Sequence, residues 1–485
     1  MTQISAAKNL KALAKGARHI LVLAPAKSVT GKKRAKLFGK RLDDVLETMC
    51  KEAPRGGLAA VLSTLNAKDP NRLSLGVLPN TVSRHGCPAR GESIRRCVEK
   101  ASLGSRGRAG IVLVLDDAAH VTAAINAVGR SLPQYSGRSG KPSTLKVQIA
   151  CVDSTGAPLE IDERALSILG ASRDSAELVD MPPTELNPRE YARRVKEMLK
   201  PVVGVTIKEV VGNKLLDEGL RGIHSVGRTA IEAPRMLVAT YTPESGSGKH
   251  IALVGKGVTY DTGGLNIKVG GSMASMKCDM GGSAAVLGAF RVLASHGCPH
   301  TVSLVMCMAE NAIGPASYKP DDIIEMHSGK TVEINNTDAE GRLLLADGVS
   351  YAARVLECDI VIDAATLTGA QLVTTGKLHA AVFSNDEALE ELMVSSAYAS
   401  GDLAHAMLFV PELFQEEFRS RVADMTNSVG NRMNAQSSCA AQFVYSHIAD
   451  TGVKWCQIDL AGPAFPFGRG SGYGVALLAE AVRRI

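Results

Sequence analysis

The chain reads as two α/β domains, a smaller N-terminal one and a larger one with a mixed, mostly parallel sheet covered by helices. Three observations predict this. Short apolar runs alternate with longer mixed segments along the 485 residues, as strands separated by helices do. In the second half these runs are continuous rather than alternating, the pattern of strands covered on both faces. Between the halves lies DMPPTELNP, residues 180–188, whose three prolines and asparagine stop a helix and mark a boundary.

In order along the chain, ILVLA, GIVLVL and LKVQIACVD read as strands of the first domain, and residues 163–178 as a helix. This places an N-terminal α/β domain at 1–165, a linker helix with its proline-rich boundary at 166–185, and the larger domain at 186–485. There the strand-like HIALVGKG, TVSLVMCMAE and CDIVIDAATLTG alternate with the helix-like GGSAAVLGAFRVLASHG and GRLLLADGVSYAARVLE. Open α/β sheets bind ligands beyond the carboxyl ends of their strands, so chemistry is expected in the loops there.

Composition narrows the function classes. With 45% hydrophobic residues the chain is neither fibrous nor disordered in type. Ten cysteines without a C-x-x-C pair argue against a zinc ribbon or a secreted disulfide framework, and a reducing, cytoplasmic setting is the simpler expectation. No apolar stretch approaches the roughly 20 residues of a membrane span. The net charge of +6 is uneven. Residues 1–42 hold eleven Lys or Arg and no Asp or Glu, leaving 44 basic against 49 acidic side chains in the rest. Such a segment suits a solvated basic face, and its alternatives are a nucleic-acid contact or an organellar presequence.

Several familiar motifs are absent. GKT at 329–331 lacks the first glycine of a phosphate loop, because position 324 is isoleucine. Gly255 and Gly257 lack the third glycine of a dinucleotide fingerprint, and there is no G-x-S-x-G elbow and no H-E-x-x-H.

Carboxylates stand where those motifs do not. In VEINNTDAEGRLLLADG an extended segment would put Asp338, Glu340 and Arg342 on one face, since side chains alternate with period two. The helix expected after Gly341 favours an anion beside Arg342. VGKGVTYDTGGLNIK sets Lys256, Asp261 and Lys268 in a glycine-rich loop after a strand expected to end at Val254, and Asp279 precedes a helix of small residues. A single D-x-E before a helix is more often a capped, solvated turn, and either lysine alone is a surface lysine. The metal reading rests on their occurring together, because carboxylates at loop mouths suit hard divalent cations, and paired cations suit hydrolysis of a stable bond.

The segments VGKGVTYDTGG, IKVGGSMASMKCDMGG and NTDAEGRLLLADG resemble those of the leucyl aminopeptidases. The likeness runs from about Pro182 to Ile485, including DAATLTGA, DLAGPA and GYGVALL, and is weak in the N-terminal region. It implies a dimetal aminopeptidase that removes the N-terminal residue of peptides by attack of a metal-bridging hydroxide. Lys256, Asp261, Asp279, Asp338 and Glu340 would hold two divalent cations, zinc or manganese with magnesium as a further candidate. Lys256 would ligate only as the neutral amine. Lys268 and Arg342 would be catalytic, with bicarbonate held by Arg342 as general base. Met276, Thr366, Gly369 and Ala461, with Ala464 as a further candidate, would line an apolar cavity for a side chain such as Leu. The family also implies a cytoplasmic homohexamer. A dimetal phosphoesterase, or an added nucleic-acid-binding role for residues 1–42, is the competing expectation.

Overall fold

The computed structural model describes residues 2–54, 57–66, 70–246 and 248–485. The chain forms two compact units, one of Met1–Arg173 with Ala397–Leu403, the other of Asp174–Ser396 with Ala404–Ile485. The helix expected over 163–178 spans Glu163–Asp180. Asn187 starts the next one, Pro188–Leu199, by accepting a hydrogen bond from Glu190 N at 2.9 Å, with proline in its first turn.

Among the described residues the first unit holds a seven-stranded sheet. Its strands are β1 (Gln3–Ala6), β2 (His19–Pro25), β3 (Ala60–Leu65), β4 (Arg72–Leu78), β5 (Arg106–Val114), β6 (Thr144–Val152) and β7 (Pro158–Leu159), in the order β1-β6-β5-β2-β4-β3 with β7 beside β6. All pairs are parallel except β3 with β4 and β7 with β6. Alternation divides β2 between two cores: Leu21 and Leu23 join one apolar cluster, Ile20, Val22 and Ala24 the other. The basic segment is therefore part of the fold. It supplies the buried strand β2 between β4 and β5, while Lys8, Lys11, Lys15, Lys32 and Lys33 stay exposed.

The second unit carries an eight-stranded sheet of β8 (Val205–Val211), β9 (Arg235–Tyr241), β10 (His250–Asp261), β11 (Thr301–Asn311), β14 (Ile360–Ala365), β15 (Ala380–Ser384), β16 (Ala404–Ala406) and β18 (Lys454–Asp459). The order is β16-β15-β18-β14-β10-β11-β9-β8, with a parallel centre from β18 to β11, antiparallel pairs of β15 with β18, β9 with β11 and β8 with β9, and a parallel edge pair of β16 with β15. A small sheet joins β12 (Ile323–Glu325), β13 (Thr331–Glu333) and β17 (Met425–Thr426). All ten cysteines are free and buried, and among the described residues no helix is long and apolar enough to cross a membrane.

One expectation is corrected here. The strand does not end at Val254; β10 continues to Asp261, so Lys256 lies within a central strand and not in a loop. The glycines around it serve close packing. A Cβ on Gly255 would lie 2.5 Å from Ser283 Cα in the helix Gly281–Ser295, and one on Gly282 would lie 2.0 Å from Ala364 O. The helix thus seats its small first turn directly on β10 and β14, and larger residues would lift it off.

Candidate functional site

Six of the seven chemistry-bearing residues converge at the carboxyl end of the central strands, and Arg342 stands one helical position past Gly341 beside them. Lys256 projects from β10 with 3% exposure, its Nζ 2.7 Å from Asp279 Oδ1 and 2.9 Å from Glu340 Oε1. It also donates to Thr366 O at 2.9 Å. Asp261 ends the same strand. Its Oδ1 accepts from Gly263 N at 2.9 Å and Asn311 Nδ2 at 2.8 Å, and its Oδ2 lies 2.8 Å from Lys268 Nζ. Lys268 also pairs with Asp338 Oδ1. The carboxylates of Asp261, Asp338 and Glu340 present oxygens within 4.8 Å of one another.

The way Asp338 reaches the cluster differs from the period-two expectation. Residues 336–339 form a turn, not an extended strand: Asp338 N donates to Asn336 Oδ1 at 3.0 Å, and Ala339 N to Asn336 O at 3.2 Å. Asn427, brought in by the pairing of β17 with β13, donates from Nδ2 to Asn336 O at 2.7 Å and Ala339 O at 3.3 Å. The helix Gly341–Arg354 starts immediately afterwards, as expected. Arg342 donates from Nη1 to Asn427 O at 3.0 Å, and its buried Nε has no protein partner.

Four carboxylates meet two ammonium groups here in a largely buried site. Burial opposes the charge on Lys256, yet Asp279, Glu340 and Asp261 outweigh it and hold its ammonium above the ordinary lysine range. Lys268 is shifted the same way, burial being outweighed by Asp261 and Asp338. Burial pushes the carboxyls of Asp279, Glu340 and Asp338 above their usual range. Burial also lowers Arg342 to about 10, which leaves it charged at neutral pH. Asp279 Oδ2 and Glu340 Oε2 are buried without a hydrogen-bond partner. Excess buried negative charge with unpaired oxygens is costly unless cations occupy it, so the donor set fits hard divalent metal ions. A cation in the cluster would reverse the field that now protonates Lys256.

Of the pocket candidates, Thr366 and Ala464 face each other across Gly281, whose Cβ would lie 3.2 Å from Thr366 Cγ2 and 2.9 Å from Ala464 Cβ. Gly369 opens the helix Gly369–Thr374 with open space where a side chain would stand. Ala461 is half-buried, and Met276 is half-buried in a short 3-10 turn ahead of Asp279. Sequence reasoning passed over Asn311, Thr337 and Asn427, all fully buried. Asn311 closes an apolar strand, which is a signal of a polar group needed at the sheet end. Thr337 stands inside the NTDAEGRL motif, where it donates to Gly263 O at 2.7 Å. Asn427 has no local sign, because its partners lie more than 80 residues away.

The family model described as "Cytosol aminopeptidase family, catalytic domain" matches residues 174–479, which contain every residue of this cluster. The chain belongs to the cytosol aminopeptidase family. The family's model "M17 aminopeptidase N-terminal domain 2" matches residues 44–141. A mouse relative named "Probable aminopeptidase NPEPL1" is 41% identical over 434 residues, covering 86% of this chain and 82% of the relative. Leucine aminopeptidase 1 of Caenorhabditis elegans is 39% identical over 409 residues, 83% of this chain and 82% of its own. Among solved structures, a leucyl aminopeptidase from Trypanosoma brucei in complex with bestatin superposes with a TM-score of 0.91 at 33% identity, covering 100% of this chain and 95% of that one. The two-domain α/β architecture of this cytosol aminopeptidase family member is thus shared along its whole length, including the N-terminal region where motif likeness is weak.

Proposed function

We propose that this metallo-exopeptidase uses two divalent cations to remove the N-terminal residue of peptides, preferring apolar side chains such as Leu. The observation that carries the reading is the buried cluster of four carboxylates threaded by Lys256 and Lys268, with unpaired oxygens on Asp279 and Glu340. Asp261, Asp338 and Glu340 would hold both ions, with Lys256 and Asp279 completing one of the two positions. Zinc and manganese suit this mixed set, and magnesium is the third ion to try. When bound, the ions supply Lewis acidity toward the scissile carbonyl and a nucleophile at neutral pH.

The chain's own groups do the rest. Lys268 stands between two cluster carboxylates and offers a cationic donor to oxyanion charge as it develops. Arg342 cannot accept a proton at working pH, so it binds rather than transfers. Its unpaired Nε suits a small anion, and bicarbonate there would serve as general base. Met276, Thr366, Gly369 and Ala461, with Ala464 as a further candidate, would line the cavity for the first side chain. By the same family likeness the assembly is a homohexamer and the setting cytoplasmic, and light scattering in solution tests the first.

The deciding experiment is leucine amide hydrolysis by metal-stripped protein reconstituted separately with zinc, manganese and magnesium. Activity returning with zinc or manganese supports the reading, and inactivity with every ion overturns it. A dimetal phosphoesterase has no use for Lys256 in the cluster, and hydrolysis of an aryl phosphate but not of leucine amide would favour it instead.

A further inference from the structure

Past the ends of β14 and β18 two segments, 366–369 and 460–464, run side by side. Asp459, the last residue of β18 and fully buried, ties them together. Its Oδ1 accepts from Leu367 N and from Ala461 N, each at 3.2 Å. Its Oδ2 accepts from Thr368 Oγ1 at 2.6 Å and from Ser437 Oγ at 3.4 Å. Gln371, also fully buried, adds a second tie: its Oε1 accepts from Gly462 N at 2.7 Å while its Nε2 donates to Gly376 O at 2.9 Å and His379 O at 2.8 Å. Thr368 joins the two, its Oγ1 accepting from Gln371 N at 3.0 Å. The strap then ends on the charged cluster, where Thr366 Oγ1 donates to Asp279 Oδ1 at 2.9 Å and Thr366 O accepts from Lys256.

A buried carboxylate is costly, and peptide hydrolysis does not itself call for one at this point. What it does is accept from four donors with two oxygens, which an amide cannot do. We propose that Asp459 is a positioning residue that holds the side-chain cavity at a set distance from the Lys256 and Asp279 pair, and so governs which N-terminal side chains are cleaved. This rests on the proposed lining by Met276, Thr366, Gly369 and Ala461.

The test compares leucine amide and alanine amide hydrolysis by the metal-loaded full chain. In Asp459→Asn, kcat/KM for leucine amide falls about tenfold, through KM, within the range one misplaced apolar contact commands, while alanine amide changes less than about twofold and bound metal is unchanged. Gly369→Leu, placed where a side chain meets open space, reports on the lining itself. If Gly369→Leu alters the leucine to alanine ratio and Asp459→Asn does not, the positioning role is overturned and the pocket stands. If neither alters it, the pocket reading falls and this proposal with it. Equal losses on both amides with loss of metal would also overturn it. Should Asp459→Asn fail to fold, Thr368→Val removes the 2.6 Å bond while keeping the carboxylate, and an unchanged ratio there is equally decisive.

Discussion

The side chain of Lys256 runs directly across Gly341: a Cβ on that glycine would lie 2.4 Å from Lys256 Cε and 2.7 Å from Nζ. The lysine reaches Asp279 and Glu340 only because the residue after Glu340 has no side chain. Gly341→Ala should therefore push the amine out of the cluster. Alanine suits a helix better than glycine, and the displaced group is the end of a flexible chain, so thermal stability should stay near the parent's. Displacement by about 1 Å can cost on the order of 100-fold in rate. Leucine amide turnover alongside a melting curve checks this, and full activity would remove Lys256 from the chemistry.

Glu340 lies at the centre of the carboxylate cluster and carries an unpaired buried oxygen. Glu340→Gln should lower bound metal and cut activity by at least about 100-fold, since losing even an outer-shell partner costs 10- to 100-fold. Elemental analysis of the purified variant decides the point, and a full metal complement would argue against a ligand role.

Lys268 pairs with Asp261 and Asp338 but is assigned to the oxyanion. Lys268→Ala should keep its metal while kcat drops by about 100- to 1,000-fold, the usual effect of removing one such donor. Unchanged turnover would end the assignment. Loss of metal together with activity would make the lysine a support for the ligands.

Acid sensitivity is expected from His447, which is fully buried with its Nδ1 2.6 Å from Ser328 Oγ. Burial lowers its imidazole to about 3. The unfolded chain binds the proton near 6.5 and the folded one does not, so its contribution is complete above that pH and lost as pH falls toward 3. The loss is about 1.4 kcal/mol per pH unit, or about 2 kcal/mol by pH 5. His447→Gln, which cannot titrate, should show a smaller fall in melting temperature between pH 7.5 and 5 than the parent. Equal falls would place the acid sensitivity elsewhere.

Much of the site was legible in the chain because its ligands are compact, polar and set at loop ends among apolar runs. Asp261, Asp279, Asp338 and Glu340 stand out as carboxylates that an apolar core would reject. The course of the backbone around them was less legible. Glycine punctuates loops and also permits close packing, so the flanks of Lys256 read as a loop although β10 runs on to Asp261. Alternation likewise suggested a strand through Asp338, where buried hydrogen bonds from a distant asparagine impose a turn.

The basic segment shows the same division. Its eleven positive charges are plain in composition, but composition could not reveal that β2 lies between β4 and β5 in the first sheet. A deletion of residues 1–42 would remove that strand, so a nucleic-acid role is better tested by reversing the exposed lysines.

By itself the sequence determined the two-domain α/β class, the carboxylate and lysine set, and the kind of chemistry that set allows, because these follow from residue type and local spacing. Only the tertiary structure decided that Lys256 sits in a strand over Gly341, that Asn427 shapes the turn bearing Asp338, and that Asp459 ties two segments together. Each depends on a buried polar group finding its partner, and those partners are brought within reach by packing between elements far apart in the chain.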